Sequence, residues 1–248
     1  MAISVRKDGA LGYVIDNGAL VAYAGDSGVR EIGNGAFRGS KLKKVVIPNG
    51  VASIGDEAFS DCDELREILL PSSVKSIGDS AFARSGIYAV VIPKGISKIG
   101  KGTFSGCNEL RSAILPDSVL SIEDNAFSGC HNLWISIPQS VAFIGKSAFE
   151  GSGFSSVEAL ANVKDISERC FSECYSLKSI MIPNGVFSIG CRAFYRCYNL
   201  RNVVIPSSVE RVHESAFEAC NNASRIVAPE RFRGDPAFEA FKTVMIWV

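Results

Sequence analysis

A repeat of 22 to 23 residues constrains this chain more than any local feature. Phe37, Phe59, Phe82, Phe104, Phe127, Phe149, Phe171, Phe194 and Phe217 stand in one register, at spacings of 22, 23, 22, 23, 22, 22, 23 and 23. Ala36, Ala58, Ala81, Thr103, Ala126, Ala148, Cys170, Ala193 and Ala216 place a small residue before each of them. Eight of the nine prolines share a second register: Pro48, Pro71, Pro93, Pro116, Pro138, Pro183, Pro206 and Pro229. A third column reads Val29, Val51, Val74, Ile96, Val119, Val141, Val163, Val186 and Val209. A period of this length makes each unit one turn of a stacked array, so it has to be settled before secondary structure is assigned.

One unit shows the logic. Val51-Ala52-Ser53-Ile54-Gly55 is a short extended piece, and Asp56 can cap a single helical turn through Ala58 and Phe59. Leu65 leads into Ile68-Leu69-Leu70, a strand closed by Pro71, which lacks a donor and suits a strand end. Such a unit cannot bury its own Phe, Leu and Ile, so it must stack on its neighbours, with parallel strands ~4.8 Å apart. The longer spacing accompanies Cys three residues after the Phe, and the shorter one accompanies Ser40, Ser85 or Ser152. The fifth unit instead loses a residue at Leu133-Trp134-Ile135, which predicts a local irregularity. The sixth is also atypical, with Leu160-Ala161 in place of Pro and Ser167 in place of Gly. The ends differ as caps should. Tyr13–Ile15, Asn17-Gly18 and Leu20–Tyr23 read as a hairpin. Asp235-Pro236 opens a short helix carrying Phe238 and Phe241, and Thr243–Val248 reads as a final strand. The chain divides into a cap over 1–28, nine repeats over 29–230 and a cap over 231–248, all one continuous domain.

The string Val74-Lys75-Ser76-Ile77-Gly78-Asp79-Ser80-Ala81-Phe82, and the Phe-x-x-Cys-x-x-Leu-x-x-Ile-x-Ile-Pro continuation from Phe171 to Pro183, resemble the BspA-type leucine-rich repeat. The resemblance spans roughly residues 29–230. It implies an α/β repeat fold: a right-handed, gently curved leucine-rich-repeat solenoid with parallel strands on the concave side and short helical turns and loops on the convex side. It also implies a bacterial surface or secreted protein that acts by binding. The start, Met1 to Asp8, has no apolar h-region, so no signal peptide is visible. A charged start and unpaired cysteines favour the alternative, an intracellular interaction scaffold.

Residues with chemical potential reduce to repeat columns. Cys62, Cys107, Cys130, Cys174, Cys197 and Cys220 share one position with three serines, which reads as a small core donor rather than half of a covalent pair. Disulfides between stacked neighbours such as Cys107/Cys130 or Cys174/Cys197 are the rival reading. Zinc at Cys170, Cys174, Cys191 and Cys197 lacks doubled C-x₂₋₄-C spacing. Cys170 sits in the small-residue column, while Cys191 occupies a column of mostly charged residues and reads as the exposed thiol. His131 and His213 lie more than three repeats apart, ~17 Å or more along the stack, and cannot share a site. Paired carboxylates such as Asp56-Glu57 and Asp63-Glu64 recur as turn faces, and glycines recur singly, without a phosphate-cradling loop. The expectation is a protein with no catalytic, cofactor or metal site.

The strand face carries more information. Alternation in Glu67–Leu70 sends Ile68 inward and Leu69 outward, so the outward column is Val46, Leu69, Val91, Ile114, Ser136, Glu158, Met181, Val204 and Val227. Seven of these nine are apolar where solvent is expected. β-Propensity of a tight ladder explains that, and so does a groove floor. Beside it run Lys43-Lys44, Arg66-Glu67, Tyr88-Ala89, Arg111-Ser112, Trp134, Ser155-Ser156, Lys178-Ser179, Arg201-Asn202 and Ser224-Arg225, seven basic residues against one acidic. That stripe is net +6 in a chain with 26 basic and 26 acidic residues. Zero net charge gives no footing for nucleic-acid binding, and no apolar run approaches the ~18 residues of a membrane span. Edge protection explains a basic stripe. An electropositive rim beside an apolar floor also suits an acidic protein or an anionic glycan. The candidate contact residues are Lys43, Lys44, Arg66, Leu69, Tyr88, Val91, Arg111, Ile114, Trp134, Lys178, Met181, Arg201, Val204 and Arg225, presented by a monomer. Tyr175, Tyr195 and Tyr198 form a second candidate patch on the turns.

Overall fold

The computed structural model describes residues 13–16, 19–22, 30–157, 160 and 162–248. The readings made at Met1–Asp8, Asn17-Gly18, Tyr23, Val29, Glu158 and Ala161 lie outside the described residues. The chain is a parallel-strand β-solenoid of about nine turns with almost no helix. Each coil contributes a strand of two to four residues to a main ladder and a two-residue strand to a second ladder. The main ladder runs, in order, through 13–16, 19–22, 44–46, 67–69, 89–91, 112–114 and 134–135, and then separately through 156–157, 179–181, 202–204, 225–228 and 245–247. Among the described residues only 13–16 and 19–22 pair antiparallel, as the predicted hairpin. The predicted irregularity falls where the ladder divides: Trp134-Ile135 pairs back to Ser112-Ala113, and the next strand starts the second sheet.

The interior is a row of aromatic rings. The repeat phenylalanines from Phe59 to Phe217 are at most 1% exposed. Successive rings stack with centroids 5.2 to 5.7 Å apart and planes within 11°. Spacing near the inter-strand repeat gives each ring within the row a stacked partner on either side. Phe154 replaces the usual Leu and wedges edge-on against Phe149 and Phe171, at 5.1 and 6.0 Å. At the C-terminal end Phe238 covers Phe217 at 6.1 Å, carried by a 3₁₀ helix at Pro236–Phe241 that Asp235 caps through the Ala237 N–H. The last strand, Met245–Trp247, pairs parallel with 226–228.

The short helical turn expected after Asp56 is instead a run of turns with alternating backbone hand. Residues two before and two after the Phe lie at positive φ in every repeat but the last, for example Glu57 at 54° and Asp61 at 60°; in the last only Ala219 does. This conformation breaks a helix and redirects every second N–H along the solenoid. Glu57, Phe59 and Asp61 donate to the carbonyls of Asp79, Ala81 and Ala83 in the next coil, at 2.9, 2.7 and 2.8 Å. Ser60 donates back to Glu57 within its own turn. Asp56 likewise serves the neighbouring coil: its Oδ1 accepts the Asp79 N–H at 2.8 Å. The Pro column closes each strand with a turn whose carbonyl accepts the N–H three residues on, as in Pro71 to Val74, and Leu160 does the same for Val163. Repeat six therefore keeps the turn although it lacks the Pro.

All eight cysteines are free thiols. Six form the column three after the Phe, and each donates to the carbonyl of the Phe one coil earlier: Cys107 to Phe82 at 3.0 Å, Cys174 to Phe149 at 3.2 Å. Ser152 makes the same bond to Phe127 at 3.0 Å, which is why Ser and Cys interchange there. Burial pushes the Cys107 thiol up to about 11 and Cys174 to about 12, keeping them protonated as donors. Cys170 is buried in the core and Cys191 is half-buried, 3.4 Å from the Ser215 hydroxyl.

Three measurements test this account. Phe127→Ala removes a ring from mid-row and should cost ~3–5 kcal/mol in urea unfolding. Ala219 sits at φ 62°, so Ala219→Gly should stabilise, by ~0.5 kcal/mol or more, reversing the usual sign of an added glycine. Asp61 is bonded first by Arg84 and also by Arg38, and its carboxyl is lowered to about 2. A depressed carboxyl stabilises above its unfolded value and loses that as pH falls through the folded one. Asp61→Asn should therefore flatten the acid side of the stability profile between about pH 4 and pH 2. An unchanged profile would remove Asp61 from the acid response.

Candidate functional site

The strand alternation places the outward column as expected. Leu69, Val91 and Ile114 are 54%, 60% and 59% exposed in the first sheet, and Met181 is 69% exposed in the second. Their neighbours Ile68, Val90, Ala113 and Ile180 are buried. Val46, Val204 and Val227 are half-buried on the same rows, and Ser136 is exposed. Cross-strand register makes the rows continuous: Val46 faces Leu69, Val91 faces Ile114, Met181 faces Val204, and Val204 faces Val227. The final strand extends the second row, because Ile246 faces Val227 and is 43% exposed. Ile246 escaped the sequence reading, although the alternation of Met245-Ile246-Trp247 carried the signal.

The basic stripe is not uniform. Lys44 is bonded to Glu67 at 2.7 Å, which cancels one charge at its N-terminal end. The Arg66 guanidinium donates to the Asp63 and Gly86 carbonyls at 2.6 and 3.1 Å and is held in place. Arg66 and Arg111 lie 5.3 and 5.8 Å from the Tyr88 ring centre, a cation–π arrangement. Trp134 follows one coil later and is 69% exposed. Lys43, Arg111, Lys178, Arg201 and Arg225 are exposed. None of the ion pairs found among the described residues includes these five. The acids cluster on the turns, where Asp61 bonds Arg84 and Asp63 bonds Lys41 at 2.6 and 2.8 Å.

Two open depressions lie on this face. One, of about 360 Å³, is lined by Arg66, Leu69, Tyr88, Val91 and the strand segments between them. The other, of about 190 Å³, is lined by Ile114, Trp134, Ser136, Asp117 and Pro138 among others. Asp117 was missed from sequence because it belongs to a turn column rather than to the strand. The candidates thus form one group from Lys43 to Trp134 on the first sheet and another from Lys178 to Arg225 on the second.

Elsewhere, Tyr175 and Tyr198 stack at 5.6 Å on the turns, and Tyr195 sits between Arg192 and Arg196 at 5.0 and 4.9 Å. Glu173 accepts from the Tyr175 hydroxyl and holds that phenol above its ordinary pKa. His131 contacts the Gly151 carbonyl at 2.8 Å and His213 contacts Ser215 at 2.9 Å, both through Nδ1. Among the described residues no three His, Cys, Asp or Glu side chains converge to hold a metal ion, and no helix is long and apolar enough to cross a membrane.

Comparison with known proteins bears on the fold. A solved leucine-rich repeat protein of T. pallidum is similar at 24% identity and TM-score 0.50, over 79% of this chain and 91% of that one. A leucine-rich repeat protein of Bacteroides ovatus shares 25% identity over 89% and 82% of the two chains, at TM-score 0.48. A leucine rich cell surface protein of Faecalibacterium prausnitzii shares 24% over 91% and 95%, at TM-score 0.37. No curated protein matches the chain. The model of the BspA type leucine rich repeat region matches residues 30–152 and 121–242, with six copies. With most of its length inside those matches, the chain belongs to the BspA-type leucine-rich repeat family.

Proposed function

We propose that this chain is a non-catalytic binding module whose strand face engages an acidic protein or an anionic glycan. The observation that carries this reading is the pairing, on one face, of exposed aliphatic rows with cations that have no carboxylate partner among the described residues. A charge left unpaired on a surface where other charges are paired is available to a partner. Exposed apolar rows beside it supply the desolvation energy that charge alone does not. The strand sheet then forms the concave side of a right-handed solenoid, with nine repeats between the two caps. The chain acts as a monomer and needs no cofactor.

The family and the surface description of one similar protein support a bacterial surface or secreted location and a role in adhesion. Eight free thiols favour the second reading, an intracellular scaffold, because an oxidising compartment pairs cysteines. Surface labelling of intact cells separates the two.

Replacing Arg66, Arg111, Lys178 and Arg201 together, by Ala or Glu, should weaken partner binding at least about tenfold and flatten its dependence on salt. Partners captured by the intact chain from host or microbial extracts provide the assay. Unchanged binding by the quadruple variant would overturn the strand-face reading.

A further inference from the structure

Binding energy need not be spread evenly along a repetitive face, and this one is asymmetric. The first sheet places Arg66, Tyr88, Arg111 and Trp134 on four successive coils, a span of roughly 15 Å at one strand spacing per coil. Tyr, Trp and Arg are the residues that most often dominate interfaces. The second sheet offers Lys178, Arg201 and Arg225 beside Met181 and Val204, with no aromatic side chain among them.

The first group is also held in place before any partner arrives. Arg66 is fixed by the Asp63 and Gly86 carbonyls, and the Tyr88 ring lies between its guanidinium and that of Arg111. Side chains already ordered lose little entropy on binding. Both open depressions adjoin this group, and Trp134 stands where the ladder ends. Lys178 and Arg201 are exposed and have no such side-chain supports among the described residues.

The floor discriminates between classes of partner. Leu69, Val91 and Ile114 are branched aliphatic side chains, more than half exposed and in one outward column. They match apolar side chains, whereas covering them with sugar would strip water from hydroxyl groups that find no acceptor there. Arg111 has no carboxylate bonded to it among the described residues, and its free donors match a carboxylate.

Resting on the strand-face reading, we infer that affinity is concentrated on the first sheet, where Tyr88, clamped by Arg66 and Arg111, and Trp134 anchor a protein segment that presents apolar side chains beside carboxylates. The second sheet contributes attraction at a distance and hence salt dependence.

The test is selection of a random dodecapeptide display library on the full chain, with heparin fragments and hyaluronan oligosaccharides assayed in parallel. Selected peptides should combine apolar residues with Asp or Glu. Their Kd should rise at least about tenfold with Tyr88→Ala or Trp134→Ala, and less than about threefold with Lys178→Ala plus Arg201→Ala. Tyr88→Phe should bind like the parent, since the ring and not the hydroxyl lies between the guanidiniums. Both positions are exposed, so the core stays intact, and an unaltered urea midpoint checks it. Equal or greater loss at Lys178 and Arg201 overturns the anchor while leaving the strand face as the site. Loss at none of these positions overturns both. Glycan binding with no selectable peptide overturns the partner class alone.

Discussion

Stacking of one phenylalanine per coil at 5.2 to 5.7 Å is the interaction on which the rest of the solenoid depends. A coil this small has no interior of its own, so its Phe is buried only by the coils on either side. That requirement sets the rise per coil, and the rise sets every other contact. At this spacing a backbone N–H two residues either side of the Phe reaches a carbonyl of the next coil, provided the backbone alternates hand. A thiol or hydroxyl three residues beyond reaches the Phe carbonyl of the previous coil. A helical turn would have satisfied the same backbone groups internally and left nothing to bind the coils together. The left-handed residues, at ~1 kcal/mol or more each, are offset because they convert local bonds into bonds between coils.

The same spacing writes a rule that only the three-dimensional structure makes readable. The Oδ1 atoms of Asn34, Asp56, Asp79 and Asp124 accept the N–H of Asp56, Asp79, Lys101 and Lys146 in the following coil. To reach there, each passes the residue just before that N–H. A Cβ on Gly55, Gly78, Gly100 or Gly145 would sit 2.4 to 2.6 Å from the incoming oxygen. At Gly55, Gly78 and Gly145 the backbone of the previous coil crowds the same space, so glycine there answers both to that backbone and to the side chain bonded across it. Where that side chain is Lys101, Lys146 or Cys191, the following position is Glu123, Ser167 or His213. Ser167 and His213, which replace the Gly of the other coils, stand where no short carboxylate or amide oxygen arrives. Gly190 meets no such oxygen and keeps only the backbone contact, the Glu168 nitrogen at 2.9 Å, which Gly55, Gly78 and Gly145 share at 2.5 to 2.7 Å.

Much of the fold was legible because the repeat superimposes nine versions of the same physical problem. The Phe, Pro and Val columns located the ring row, the strand ends and the turns. The Ser-for-Cys exchange pointed to a donor, and the missing residue at Trp134 located the division of the ladder. The outward column was legible for the same reason, since period-two alternation holds within each short strand. What could not be read was the chemistry passing between coils. Asp56 looked like a cap for its own turn because single-sequence reasoning knows only neighbours in the chain. Its actual partner is 23 residues away. The pairing of Lys44 with Glu67 and the pinning of Arg66 were hidden similarly, so the stripe appeared more uniformly charged than it is.

These constraints explain where variation is permitted. Inward columns are fixed by stacking, so a change there disturbs two neighbouring coils as well as its own. Outward positions on the strand face meet no such demand, and they differ from coil to coil, with Ala89, Ser112, Ser179 and Asn202 in one column and Leu69, Val91, Ile114 and Met181 in another. The fifth coil combines both effects. Losing one residue on the way into the strand puts Trp134 opposite Ser112, in a column that other coils fill with small or polar side chains, and the main ladder does not continue from it. An indole there is 69% exposed and buries none of itself in the row of rings. Stacking gives no reason to keep a large aromatic residue at that point, so any reason must come from what lies against the face rather than from what lies beneath it.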